Sequence, residues 1–164
     1  MKTMNQLISD YTSCLRQGEI QIAYKAIMEF MNRLRSHYIK KHPDYDTGSV
    51  YQGFMDMTYY SLGTKPLKDK GLKIAVVYLH EKGVFEVWLS ARNREIAKQY
   101  ESIGINTSSD ILLFHDAGNQ DAIVECTLTS APDFEDQASL INIIEQNVQK
   151  FVAETANLLA LTSL

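Results

Sequence analysis

The chain has 164 residues, of which 45% are apolar and 22% charged, with a net charge of −4. That length fits one domain, 1–164, able to bury roughly 70% of the surface of its unfolded form. An acidic balance (pI near 5.5) argues against general attraction to nucleic acid or to an anionic membrane.

Asn5 to Gln17 reads as a short helix with Leu7, Ile8, Tyr11 and Leu15 on one side, interrupted at Gly18. From Glu19 a longer helix is expected, because Ile20, Ala23, Tyr24, Ile27, Phe30, Met31, Leu34 and Tyr38 recur at three- and four-residue steps. Pro43 disfavours helical geometry at His42, so HPDYDTGS is read as a loop. Val50 to Leu62, VYQGFMDMTYYSL, is predicted as an aromatic-rich strand. Alternation would set Tyr51, Met55, Met57 and Tyr59 on one face, and Phe54, Asp56, Thr58 and Tyr60 on the other. GTKPLKDKG is read as a basic loop.

Lys73 to Ser90 is the expected centre of the fold. Two apolar runs flank Glu81-Lys82-Gly83, and glycine there supplies the positive φ of a tight hairpin turn. Pairing about that turn puts His80 opposite Phe85. One face then carries Ile74, Val76, Tyr78, Phe85, Val87 and Leu89; the other carries Lys73, Ala75, Val77, Leu79, Glu86, Trp88 and Ser90. The first face wants a core. The second is mixed.

Asn93 can cap a helix from about Arg94 to Ile103, closed by Gly104. A second hairpin, Ile111–Phe114 and Ala122–Leu128, is joined by the turn-rich HDAGNQD. After Pro132-Asp133 a last helix carries Leu140, Ile143, Ile144, Val148, Phe151, Val152, Thr155 and Leu159 at helical period. The order predicts an α+β fold: a mainly antiparallel sheet, a three-strand meander plus a second hairpin, flanked by N-terminal, middle and C-terminal helices.

No apolar run approaches the ~20 residues that span a bilayer, and no apolar h-region follows Lys2. Cys14 and Cys126 have no metal or redox spacing, which suits a reducing, cytoplasmic setting. Glycine-rich phosphate loops, an H-E-x-x-H pair and a G-x-S-x-G elbow are all missing. His37, His42, His80 and His115 form no ligand motif. No cofactor, metal or catalytic residue is therefore assigned, and the partner is expected to be a small molecule or protein rather than a membrane or nucleic acid.

Asp56 and Glu86 stand out as carboxylates inside apolar strands, where each needs donors, water or a proton. They are expected on one side of the sheet with Tyr59 or Tyr60 and Trp88, rimmed by Arg92 and Asn93, as polar groups converging among aromatics in a ligand pocket. The functional reading is a non-catalytic ligand- or protein-binding module using this aromatic, carboxylate-bearing face.

The element order also resembles the PD-(D/E)XK nuclease core, whose chemistry needs two strand acids and a lysine around Mg²⁺. Asp56 and Glu86 could be the acids. Trp88 stands where the lysine belongs, and Lys73, ~20 Å along the strand in the expected pairing, is too far to help, which leaves Lys98 of the following helix as the replacement in a degenerate metal-dependent phosphodiesterase.

The stretches GEIQIAYKAIMEFMNRLRSHY, SVYQGFMDMTYYSL and KIAVVYLHEKGVFEVWLSARN, with the closing PDF and long helix, resemble an uncharacterised family of small bacterial proteins built on a domain of unknown function. The resemblance spans nearly the whole chain, most specifically in GFMDMTYYSL and FEVWLSARN. It implies a stand-alone, single-domain cytoplasmic protein, and no activity or site residue.

Overall fold

The computed structural model describes residues 1–103, 105 and 111–161. Helices α1 (Met4–Arg16) and α2 (Glu19–Lys41) lead into a short strand β1 (Asp46–Thr47) and β2 (Met57–Gly63). A one-turn helix α3 (Lys65–Asp69) precedes the central hairpin, β3 (Leu72–Leu79) and β4 (Val84–Ala91). Then come α4 (Arg94–Gln99), β5 (Leu113–Phe114), β6 (Val124–Thr129) and α5 (Gln137–Ala160). The six strands form one antiparallel sheet in the order β1-β2-β3-β4-β6-β5. The fold is α+β, as the pattern of elements implied.

The hairpin partitions its residues between faces as expected, but its register is two residues tighter. Tyr78, not His80, stands opposite Phe85, and Val77 opposite Glu86. His80 leaves the ladder because its N–H is donated to the Asp56 carbonyl, while Gly83 N–H closes the turn on Leu79 O. A shift of two preserves the pleat, so no side chain changes face. Gly83 adopts φ +65°, the left-handed geometry foreseen for the turn.

The predicted strand from Val50 to Leu62 is corrected to a folded-back segment. Tyr51 pairs with Tyr59 through Tyr51 N–H to Tyr59 O (2.7 Å) and Tyr59 N–H to Tyr51 O (3.0 Å). The reversal between them uses positive φ at Gly53 (74°) and Met55 (63°). It is closed by the Thr58 hydroxyl donating to Gln52 O and by Asp56 Oδ1 accepting Phe54 N–H. Local side-chain bonds of this kind compete with an extended ladder. The basic loop hides α3, capped by Thr64 with Pro66 in its first turn, and Leu67 of this turn is buried. Helix α4 stops at Gln99, short of the expected Ile103, as Tyr100 turns into the core. Gly104 lies outside the described residues.

The helices pack on one face. Phe30, Met31, Leu34 and Tyr38 of α2, and Leu140, Ile144, Val148 and Phe151 of α5, close over Ile74, Val76, Tyr78, Phe85, Val87 and Leu89. Phe30 meets Phe85 edge-on at 5.5 Å between centroids. Between Phe85 and Glu86 the β4–β6 register slips, leaving Leu128 without a partner residue but buried in this core.

Glu145 of α5 ties the two long helices together. It is buried and meets His37 Nε2, Lys41 Nζ (2.7 Å) and His42 Nε2 (3.4 Å), all from α2 or its end. Burial alone would raise the Glu145 pKa. The hydrogen bonds from Lys41, His37 and His42 outweigh it and bring the group down to about 2.

Two expectations follow from these placements. Val87 is fully buried on the helix-covered face, so Val87→Asp should cost about 3–5 kcal/mol or abolish folding. Glu86→Gln, one residue away on the other face, should cost about 1 kcal/mol, since an amide oxygen can still accept from Trp88. Urea denaturation of both compares them; equal losses would place the two side chains on the wrong faces. The second concerns acid. A folded-state pKa below the usual Glu value of 4.5 means stability that is complete above that value and lost as pH falls toward 2. Wild-type stability should therefore drop more steeply than that of Glu145→Gln over this window, whereas parallel curves would show the Glu145 contacts to be inconsequential.

Candidate functional site on the helix-free sheet face

Strand alternation that sends one set of side chains to the helices sends the other to a face whose apolar cluster contains no helical residue. Across it run Met57 and Tyr59 from β2, Lys73, Ala75, Val77 and Leu79 from β3, Glu86, Trp88 and Ser90 from β4, Glu125 from β6 and Phe114 from β5. Trp88 is central, with Ala75 and Glu125 as cross-strand neighbours. The small Ala75 side chain leaves space beside the indole, and Trp88 Nε1 donates to Glu86 Oε1 at 2.9 Å. Trp88 and Glu86 are each 5% exposed, and Glu125 only 1%.

Glu125 is built into the site from above. The loop from His115 to Asp121 folds over it, and the carboxylate accepts from Asn119 Nδ2 (3.0 Å) and Asp116 N–H (3.2 Å), with His115 Nδ1 at 3.1 Å. Burial raises its pKa, and these three partners oppose that rise. Asp116 Oδ1 accepts Gly118 N–H, and Asn119 Oδ1 accepts Asp121 N–H. The loop closes onto the sheet where Ser90 Oγ donates to Asp121 O at 2.7 Å. The loop is moulded around one buried anion.

Two clefts meet at Trp88. The smaller, about 150 Å³, lies between Tyr59, Lys73, Trp88 and Ser90. Lys73 Nζ stands 5.9 Å from the Tyr59 ring centre on its rim. The larger, about 400 Å³, runs from the Met55–Met57 turn across Glu86 and Trp88 to Phe114 and the His115–Asp121 loop.

Of the residues singled out in the sequence, Glu86 and Trp88 sit at the centre of this face and Tyr59 beside them. Asp56 precedes β2 rather than lying within it; it is exposed at the mouth of the larger cleft, its pKa lowered by the backbone N–H groups of Phe54 and Met57. Tyr60 is on the opposite face, fully buried against Tyr38. Arg92 and Asn93 lie elsewhere: Arg92 is exposed and lines a separate cleft with Asp46 and Lys68, and Asn93 caps α4. Among the described residues no ion pair joins Arg92 to Asp56 or Glu86.

The lysines that a nuclease reading would use are not beside Glu86. Lys73 pairs with Ser90, four residues along the strand from the partner of Glu86, or ~13 Å. Lys98 belongs to α4 and lines a cleft with Arg94. Among the described residues no group of three or more His, Cys, Asp or Glu is arranged to hold a metal ion.

Glu125 escaped the sequence reading, although AIVECTL sets an acid in an apolar run just as FEVWL does. The same argument, that a buried carboxylate must find donors, applied to it. Cys126, its neighbour, points into the core, where burial and then the Glu86 charge push the thiol up to about 11.

The sequence model of the family described as "Domain of unknown function (DUF7000)" matches residues 4–159. The chain belongs to that family. No curated protein and no solved structure matches it. No helix among the described residues is long and apolar enough to cross a membrane.

If Glu125 organises the loop, Glu125→Ala should release it. Backbone amides at 116–121 should exchange with deuterium at least about tenfold faster while those of α5 stay protected, and the domain should lose about 1–3 kcal/mol. Unchanged loop protection would refute the role.

Proposed function

We propose that the protein is a binding module for a small organic cation, an amine or quaternary ammonium carrying an apolar body, held on the helix-free face of the sheet. One observation carries the reading: two carboxylates, Glu86 and Glu125, are almost completely buried beside an indole in a cleft that no helix of the described residues lines. Its walls bring Asp56, Glu81, Glu86, Asp116, Asp121 and Glu125 together with Lys82 as the one basic residue. Such a cleft repels anions and concentrates cations, because low-dielectric walls focus the field. Trp88, Phe114, Met57 and Leu79 supply the apolar floor, and a cation over an aromatic face gains a further ~1–2 kcal/mol when desolvated. The site needs no catalytic group to do this. A reducing, bacterial cytoplasm is part of the proposal, consistent with the two free thiols, exposed Cys14 and buried Cys126.

Trp88 is the sole tryptophan, so its fluorescence reports on the site directly. Titration with hexyltrimethylammonium and hexylamine should give saturable changes, and hexanoate of the same length should give none. Replacing Glu86 and Glu125 together by Gln should weaken cation binding at least about tenfold, a loss of ~1.4 kcal/mol. Acidification should also weaken it, because burial raises the Glu125 pKa and the carboxylate takes up its proton at higher pH than an ordinary glutamate. Equal response to hexanoate, or no response to either cation at millimolar concentration, would overturn the proposal.

A further inference from the structure

A different part of the molecule carries an inference independent of the sheet face. Helix α1 has a complete capping box, with Thr3 and Gln6 exchanging bonds, yet buries no residue. Its apolar side chains occupy one stripe: Met4, Leu7, Ile8 and Tyr11 are 68%, 49%, 54% and 57% exposed. The opposite side is Asn5, Ser9, Thr12, Ser13 and Arg16. The core stripe of α2 begins at Ile20, but burial on α2 begins only at Met28. Ile20 itself is 42% exposed. The first turn of α2 and all of α1 thus form an arm projecting from the domain, up to Tyr24, whose ring meets that of His80 at 5.7 Å between centroids.

A helix of 13 residues is marginal in water by itself and ordinarily depends on packing of its apolar face. The family model nevertheless begins at residue 4, where α1 begins. The arm therefore belongs to the domain while adding nothing to the core of one copy. A lipid surface is a poor match, because interfacial helices carry basic polar faces, and this one has Arg16 as its single base among amides and hydroxyls. Covering the five exposed side chains would remove roughly 500 Å² per copy, about 1,000 Å² for a symmetric pair, which reaches the size at which specific interfaces begin.

We infer that the α1 arm is a homodimer interface, in which the stripe of Met4, Leu7, Ile8, Tyr11 and Ile20 packs on the same stripe of a second copy about a two-fold axis.

Sedimentation equilibrium of the full chain between about 1 and 100 μM, the range over which a micromolar dimer dissociates, tests this. Wild type should approach twice the monomer mass as concentration rises, and the double variant Ile8→Lys, Tyr11→Lys should remain monomeric throughout. Because α1 contributes nothing to the core, the variant should keep wild-type amide protection in β3 and β4 while losing it in α1. A wild-type monomer over the whole range would overturn the inference. So would a dimer that survives the double substitution, or a monomer whose arm is instead protected by added anionic vesicles.

Discussion

The two-residue period of the β3–β4 hairpin is the constraint on which the rest of the molecule depends. Ile74, Val76, Val87 and Leu89 on one side of the pleat are entirely removed from water, and with Tyr78 and Phe85 they form the centre of the surface on which α2 and α5 pack. Alternation then leaves Glu86 and Trp88 nowhere to go but the opposite face. The site is the necessary complement of the core, because a strand cannot bury one parity of residues in the helical layer without presenting the other.

Buried carboxylates occur on both faces, and their surroundings differ in kind. On the helical side Glu145 is met by Lys41, His37 and His42, so its charge is neutralised within the fold and it serves to clamp α2 to α5. On the open side Glu86 is met by an indole N–H, and Glu125 by an amide side chain, a backbone N–H and an imidazole. The indole, amide and backbone N–H groups satisfy oxygen lone pairs without cancelling charge. The first arrangement completes itself. The second leaves its acids beside a cleft open to solvent, and the proposed cation site rests on that difference.

What was legible in the sequence followed the strength of the local period. The long helices and the faces of the central hairpin were readable because apolar spacing fixes them, and parity survives a register error of two residues. The order Val50 to Leu62 was misread because its decisive features are not hydrophobic. Gly53, the Asp56 carboxylate and the Thr58 hydroxyl fold the chain back on itself, while the aromatic residues on either side look like one continuous strand. For the same reason Tyr60 could not be separated from Tyr59 as a site residue until the strand start was fixed at Met57. Arg92 was expected near the acids because it follows Glu86 and Trp88 closely in sequence. The strand carries it past the end of the cleft, with its N–H bonded to Gly71 O at 2.8 Å. Glu125 went unnoticed although its sequence context matched that of Glu86, since the loop that satisfies it lies earlier in the chain.

Two apolar surfaces formed by the described residues are proposed as binding faces, and their chemistry suits different kinds of partner. The sheet face is recessed, aromatic and acidic, with a volume of about 400 Å³ in its larger cleft, within the range that holds small molecules. The α1 stripe is the reverse: it projects, it is almost wholly aliphatic, and its flanking polar groups are short and uncharged apart from Lys2, Asp10 and Arg16. Lys2 and Asp10 already pair with each other at 2.6 Å. A projecting aliphatic ridge cannot enclose a small ligand, but it can interlock with a second ridge of the same spacing, since side chains three and four residues apart form the ridges and grooves of helix packing. The two proposed surfaces therefore do not compete for one partner, and a dimer formed through the arms would leave the acidic cleft of each copy open to the proposed cation.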